Sequence, residues 1–405
     1  MKQKLLILSP FLPWPLNTGG NAGVYNMLKS VVEDYEVHFV TSMNSINKPE
    51  YVKLLTSQIK GITFHLYDYK KANNKKFEYF RKIVRRLQLR MNFEGNINAL
   101  SFNLNDEITP DYIEFVKDII YKNNIDLVQV EFCSYLPWVY ALPKSVRKIF
   151  IHHELRYVRD SQEYEKNTYG AYLTDFAKDN EISMLNRFDR IVSLTSIDKE
   201  KLEKEGVRVP IYVSTLAITD NTPDFTVWKS SNRLSFVGGS GHSPNYEGIK
   251  WFVMNVLPLV QKQISDVKLD IIGSWSPESQ KEILNLSSAV EFKGFVPSLI
   301  DGIKNTLMIV PINIGSGIRM KILESSSNSV PFVSTVVGVE GLDFESGKDC
   351  YIAKDKDEMA KQIVTVLENP DIYASLSKNA YDTFVSKYSF DAMKKMRLNV
   401  YVFND

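Results

Sequence analysis

The strongest constraint on this fold is a rhythm. Short β-rich apolar runs alternate with longer stretches in which apolar residues recur at helical spacing, and the alternation runs through once and then restarts. In the first set, Lys4–Ser9, Glu36–Thr41, Asp126–Glu131, Lys148–His152 and Arg190–Leu194 read as strands, with helices over Val24–Val32, Pro110–Lys122 and Asp175–Arg187. In the second, the strands are Leu234–Val237, Lys268–Ile272, Val290–Phe292, Leu307–Pro311 and Pro331–Ser334. They alternate with helices near Tyr246–Gln263, Pro277–Asn285, Met320–Ser327 and Asp357–Glu368. Alternation of this kind implies parallel sheets covered by helices on both faces.

Gly, Pro and Thr cluster between the two sets, over Gly206–Pro223. The chain therefore reads as α/β, with two Rossmann-like, doubly wound parallel-sheet domains over 1–208 and 209–380, hinged near the cluster and facing across a cleft. Ligands of such sheets sit at the carboxyl ends of the strands. The remainder, 381–405, reads as helical with no strand partner, and is expected to pack back on the N-terminal domain.

Composition narrows the classes. The 405 residues carry a formal net charge of +1 and are 44% hydrophobic, which excludes disordered, collagen-like and general polyanion-binding chains. Cys133 and Cys350 are the two cysteines, far apart in sequence, which suits a reducing cytosol rather than a disulfide framework. No run approaches the ~20 apolar residues of a membrane span. The short run Leu5–Leu8 ends at Pro10, too soon for a secretory signal. A soluble, cytoplasmic protein is expected.

The most informative stretch is Pro311-Ile-Asn-Ile-Gly-Ser-Gly-Ile-Arg-Met-Lys-Ile-Leu-Glu324. A buried strand, a Gly-Ser-Gly turn and a helix start follow one another. Gly315, Ser316 and Gly317 let backbone N–H groups approach a ligand, and the helix N-terminus favours an anion. Arg319 and Lys321 add two cations suited to phosphate. Glu324 lies one or two turns into the helix, placed to accept hydrogen bonds from paired hydroxyls such as those of a ribose. Helix dipole alone gives an early carboxylate about 0.3–1 kcal/mol, so it is the combination that points to a ligand.

Gly315–Glu324, followed by Val330-Pro-Phe-Val-Ser-Thr335 and Gly338-Val-Glu-Gly341, resembles the donor site of glycosyltransferase family 4, retaining GT-B enzymes that use nucleotide sugars. Phe236-Val-Gly-Gly239, Pro244-Asn245 with Trp251-Phe252, Gly294-Phe-Val-Pro297 and Gly19-Gly20 add to the likeness, which is strong over Leu234–Gly341 and rests on short matches before residue 200. The resemblance implies that Glu324 holds the ribose, and that Arg319 and Lys321 neutralise the diphosphate. Gly294, Phe295 and Val296 would then lie against the base, with Gly239 in the donor site. It implies no metal and no cofactor beyond the donor. The family's commoner motif has a second Glu near the donor sugar where this chain has Ser316, so the donor hydroxyls, and the sugar, stay open.

Three further groups complete the reading. Gly19, Gly20 and Asn21 follow the first strand, in a loop leading to a helix from about Gly23, and are assigned to the donor phosphates or the acceptor. His152-His153-Glu154 closes another strand. The resemblance implies a histidine near the reacting centre, and counting from Arg159 favours His153. Zinc is disfavoured because no third or fourth ligand is in view at usable spacing. Glu131 ends a neighbouring strand and, with His152, is assigned to the acceptor. Asp355-Lys356-Asp357 reads as an acidic helix start rather than a metal site. Finally, Lys70–Arg90 carries nine basic residues against one acidic, with Phe77, Phe80, Val84 and Leu87 at helical spacing: a segment able to lie on an anionic membrane surface. No nucleic-acid recognition motif accompanies it.

The expectation is a metal-independent retaining glycosyltransferase, of hexosyltransferase type, moving a sugar from a nucleotide-sugar donor to a glycan or lipid-linked saccharide, peripheral at the inner membrane face. The alternatives are a GT-B nucleotide-sugar epimerase and a non-catalytic nucleotide-sugar or glycan-binding subunit.

Overall fold

A fully apolar strand is stable only when both faces of its sheet are covered, and the apolar runs of this chain form such strands. The computed structural model describes residues 2–16, 19–44, 46–69, 108–158, 161, 168–216, 218, 231–296, 298–315 and 317–403. The basic segment Lys70–Arg90, Arg159, Ser316 and Pro297 lie outside the described residues. The chain forms two compact units, one of residues 1–14, 31–193 and 199–212, the other of 15–30, 194–198 and 213–405.

The first sheet has seven strands: β1 (Gln3–Leu8), β2 (Tyr35–Ser42), β3 (Ile62–Tyr67), β4 (Leu127–Glu131), β5 (Arg147–His152), β6 (Arg190–Ser193) and β7 (Ile211–Val213), in the order β3-β2-β1-β4-β5-β6-β7. The pairs from β3 through β6 are parallel. The second has six: β8 (Arg233–Val237), β9 (Lys268–Ile272), β10 (Val290–Gly294), β11 (Leu307–Val310), β12 (Phe332–Thr335) and β13 (Tyr351–Ala353), in the order β10-β9-β8-β11-β12-β13. All its pairs are parallel. In both sheets strand order reverses between the first and the fourth strand, and the crevice beyond the carboxyl ends of those two strands is where such sheets bind ligands. The loops after β1 and β4, and after β8 and β11, are therefore the places to look.

The central strands are buried throughout: Leu5–Leu8 in β1, all of β4, and Leu307–Val310 in β11. The strands that apolar patterning missed are β3, β7 and β13. Each is the edge of its sheet or only three residues long, so it shows no uninterrupted apolar run.

Helix limits differ from the sequence reading in two informative places. The helix expected from about Gly23 spans Gly19–Val31, so the glycine pair forms its first turn instead of a loop; low glycine propensity disguised it. The helix expected over Tyr246–Gln263 is two, Ser243–Asn255 and Leu257–Gln261, because Pro258 lacks the N–H that would continue the first. The C-terminal residues form helices Pro370–Tyr388 and Phe390–Tyr401, grouped with the second unit. Among the described residues no helix is long and apolar enough to cross a membrane.

Candidate functional site

In the second unit, β11 delivers the chain at Pro311 to a turn, and the helix Met320–Ser327 begins directly after it. Gly315 and Gly317 have φ of 110° and 78°, values that side chains oppose, so the turn requires glycine at both positions. The Arg319 guanidinium folds over the turn. Its Nη1 donates to the Gly317 carbonyl at 2.6 Å, and a Cβ on Gly315 would lie 3.5 Å from Nη2.

Lys321 is buried. Its Nζ donates to Asn245 Oδ1 at 2.7 Å and sits 4.0 Å from the Phe236 ring centroid. Asn245 in turn donates to the Gly239 carbonyl at 3.0 Å. Gly238 has φ of 147°, and a Cβ there would meet Asn245 Nδ2 at 2.7 Å, so the glycine pair after β8 makes room for the amide that holds the lysine. Burial, helped by the Arg319 charge and opposed by Glu324, pushes the Lys321 ammonium down to about 7. Burial also holds the Glu324 carboxyl above the ordinary carboxylate range, against the pull of Lys321.

Glu324 lines a cavity of about 290 Å³. Leu16, Ile218, Leu299 and Ile300 supply apolar wall; Tyr25, Asn26, Ser298 and Asn328 supply polar groups. An apolar chamber with one carboxylate and a few polar groups is suited to a nucleoside, its base against the apolar wall and its paired hydroxyls on Glu324. Arg319 and Lys321 precede Glu324 on the same turn and helix start, where phosphates would follow the ribose. Gly294, at φ 65°, ends β10; Phe295 after it is 69% exposed, and Val296 packs against the core. Asn21 donates to the Pro15 carbonyl at 2.7 Å, while Ala22, Tyr25 and Asn26 of the same helix reach the cavity. Asp355 caps its helix, accepting from the N–H groups of Asp357 and Glu358 at 3.0 and 2.8 Å.

In the first unit, Glu131 closes β4 and is buried, accepting from Gln129 Nε2 on one oxygen. Its other oxygen lies 2.5 Å from His153 Nε2. The His153 ring stacks on Phe132 with centroids 3.8 Å apart and planes within 8°. Phe132 has φ of 66°, a strained setting for an aromatic residue that places its ring under the histidine. His153 is thus fixed in position by a carboxylate and a ring face. His152, its side chain fully buried, lies with Nε2 2.7 Å from Glu181 Oε1. Cys133, His152 and Glu181 bring ligand-capable atoms within 4.8 Å of one another, a grouping that sequence spacing does not display.

Residues 231–369 match the sequence profile of the family described as glycosyl transferases group 1. An uncharacterised 44.6 kDa protein in the cps region of Klebsiella pneumoniae is 22% identical over 404 residues, 95% of this chain and 96% of its own. A mutant of S. aureus TarM, crystallised with fondaparinux, alpha-GlcNAc-glycerol and UDP, is similar over the full length of both chains, with a TM-score of 0.70 at 14% identity. HepE of Anabaena in complex with UDP and glucose has a TM-score of 0.66 at 13% identity, over 98% of this chain and 99% of its own. The chain has the GT-B fold. Profile and fold together support a glycosyltransferase.

Within this GT-B chain, sequence reasoning gathered Gly315, Gly317, Arg319, Lys321 and Glu324 because they occupy one short stretch. It missed Asn245's hold on Lys321, Phe236 beneath the ammonium, and Tyr25, Asn26, Leu299 and Ile300 in the cavity wall. The usable signal for Asn245 was its place in the first turn of the helix after β8, the phosphate-facing position of a Rossmann unit. Glu181 carried no signal, because a glutamate mid-helix is ordinarily solvated.

Proposed function

We propose that this protein is a retaining, metal-independent glycosyltransferase of family 4 that moves a hexosyl unit from a UDP-sugar to a hydroxyl of a saccharide acceptor, in the cytoplasm. The observation that carries the reading is the Arg319–Lys321–Glu324 array beside an apolar cavity at the switch point of the second sheet. UDP is chosen because TarM and HepE bind it. The cps-region relative favours a polysaccharide product.

The chemistry follows from charge. As the bond from the anomeric carbon to the β-phosphate oxygen breaks, negative charge grows on the diphosphate, and Arg319 and protonated Lys321 stabilise it without solvent reorganisation. A metal would duplicate that charge. The acceptor oxygen attacks from the face the diphosphate leaves, and its proton passes to the departing phosphate oxygen. His153, locked by Glu131 and Phe132, is assigned to the donor sugar near the reacting carbon; the first unit takes the acceptor.

Isothermal titration with UDP, GDP, ADP and dTDP in the presence of EDTA tests the site. UDP should bind, and Glu324→Ala and Arg319→Ala should each weaken it by about 1.5 kcal/mol or more, the worth of a charged hydrogen bond. No nucleotide binding, or an unchanged Glu324→Ala, overturns the reading. Binding without turnover on any donor and acceptor would favour a non-catalytic subunit.

A further inference from the structure

Two strands and one helix of the first unit meet at a point that the proposed reaction does not use. Cys133 follows β4, in the turn Cys133–Tyr135; His152 is the last residue of β5; Glu181 lies on helix Thr168–Leu185. A thiol sulfur, an imidazole nitrogen and a carboxylate oxygen from these three residues lie within 4.8 Å of one another. His152 and Glu181 are 1 and 8% exposed, and Cys133 is half-buried. The contact of His152 Nε2 with Glu181 Oε1 at 2.7 Å uses one ring nitrogen. The other, Nδ1, is enclosed with no hydrogen-bond partner, a costly setting for a buried polar atom. An ordinary buried His–Glu pair explains neither that nitrogen nor a thiol at the same point.

We infer that Cys133, His152 and Glu181 form a site for one zinc ion. The donor set selects the metal. Sulfur and imidazole nitrogen suit zinc, whereas magnesium and calcium take oxygen ligands. A thiolate and a carboxylate carry two negative charges, so a divalent ion leaves this buried group neutral. Tetrahedral zinc, with bonds of about 2.0–2.3 Å, keeps its donors about 3.2–3.8 Å apart, so the set closes on an ion with movements of about an ångström. The Glu154 carbonyl oxygen, 3.7 Å from Cys133 Sγ, is within reach of the fourth position. Glu181 lies 29 residues from His152, which is why spacing along the chain shows no third ligand.

Such an ion ties the carboxyl ends of the paired strands β4 and β5 to the helix. Its ligands adjoin the residues assigned to the reaction: Glu131 and Phe132 precede Cys133, and His153 follows His152. The strained backbone of Phe132, at φ 66°, is then held on one side by the Glu131–His153 contact and on the other by the metal at Cys133. The role is that of a structural clamp. All three ligands belong to the first unit, whereas Arg319, Lys321 and Glu324 belong to the second, so the clamp takes no part in neutralising the diphosphate.

The test uses the full chain, stripped with EDTA, dialysed and titrated with Co(II) and then Zn(II). The expected result is one ion per chain and a thiolate-to-cobalt charge-transfer band in the near ultraviolet, bleached by one equivalent of Zn(II) and unchanged by excess Mg(II). Cys133→Ser should abolish the band, and Glu181→Gln should weaken zinc at least tenfold. Cys350→Ala, which removes the other cysteine, should keep both band and affinity. Zinc should raise the melting temperature of the unaltered chain and not that of Cys133→Ser. A titration of the unaltered chain without the charge-transfer band overturns the site, whether or not any variant folds, since cobalt would then sit on nitrogen and oxygen ligands elsewhere. Equal zinc affinity in Cys133→Ser also overturns it. These readouts need neither nucleotide nor turnover, so they stand apart from the glycosyltransferase reading.

Discussion

If the proposed donor site is right, Lys321 should couple donor binding to pH. In water a lysine keeps its proton to about pH 10.4, but burial holds this one near 7. At pH 8 only about one ligand-free molecule in ten carries the ammonium. A diphosphate beside Nζ stabilises the charged form, so binding takes up a proton. Above pH 7 the UDP affinity should fall with a slope approaching tenfold per unit, about 50-fold or about 2.3 kcal/mol between pH 7 and 9. UDP is itself fully ionised over most of that range, since a phosphate's second pKa is about 6. The check is isothermal titration at pH 7.5, 8.0 and 8.5 in buffers of different ionisation enthalpy, which reports proton uptake directly. Uptake should approach one proton by pH 8.5 and vanish in Lys321→Met. The same depression costs stability. Between about pH 7 and 10.5 the unfolded chain binds a proton that the folded chain does not, so ligand-free stability rises with pH through that window, and the full cost, on the order of 5 kcal/mol, is present below it. Lys321→Met should therefore raise the ligand-free melting temperature at pH 7 while weakening UDP at least tenfold. Affinity that is flat from pH 7 to 9, or proton uptake that survives in Lys321→Met, would refute the reasoning.

Other consequences are equally direct. Glu131→Gln should lower kcat at least tenfold with UDP affinity unchanged, because it loosens His153 and leaves the cavity at Glu324 intact; steady-state kinetics with parallel titration distinguish the two. A Cβ on Gly248 would lie 2.5 Å from the Pro311 carbonyl oxygen. Gly248→Val should thus cost about 1–3 kcal/mol by urea unfolding, and it should also weaken UDP, since Pro311 leads into the Gly315–Gly317 turn. His38 and His65 stack with Nδ1 and Nε2 3.0 Å apart, and burial lowers both, His65 to about 4. The unfolded chain takes up protons near pH 6.5 that the folded pair resists, so the urea midpoint should fall from pH 7 to pH 5 and level off below about 4. His65→Phe should flatten that dependence.

The parallel core was legible because a strand buried on both faces must be apolar without interruption, as Leu5–Leu8 and Leu307–Val310 are. Edge strands such as β3, with its exposed Thr63 and half-buried Phe-His-Leu, obey no such rule. The Gly315–Gly317 turn was legible for a different reason. Positive φ at Gly315 and Gly317, and cations and a carboxylate at a helix start, are local requirements that the chain meets within ten residues. Helix Gly19–Val31 was read four residues short because glycine pairs ordinarily mark turns, whereas here the pair opens a helix.

What the sequence by itself determined is whatever neighbours along the chain impose on each other: strand and helix periodicity, the turn that demands glycine, and the run of charges that follows it. The partners of the buried charges were decided by tertiary structure alone. Glu131 meets His153 across 22 residues, His152 meets Glu181 across 29, and Lys321 meets Asn245 across 76. Adjacent residues in extended chain point to opposite sides, so His152 and His153, chemically identical and consecutive, reach different carboxylates only once β4, β5 and helix Thr168–Leu185 are stacked. A buried charge takes whichever partner packing brings within hydrogen-bond reach, and that distance is a property of the assembled sheet.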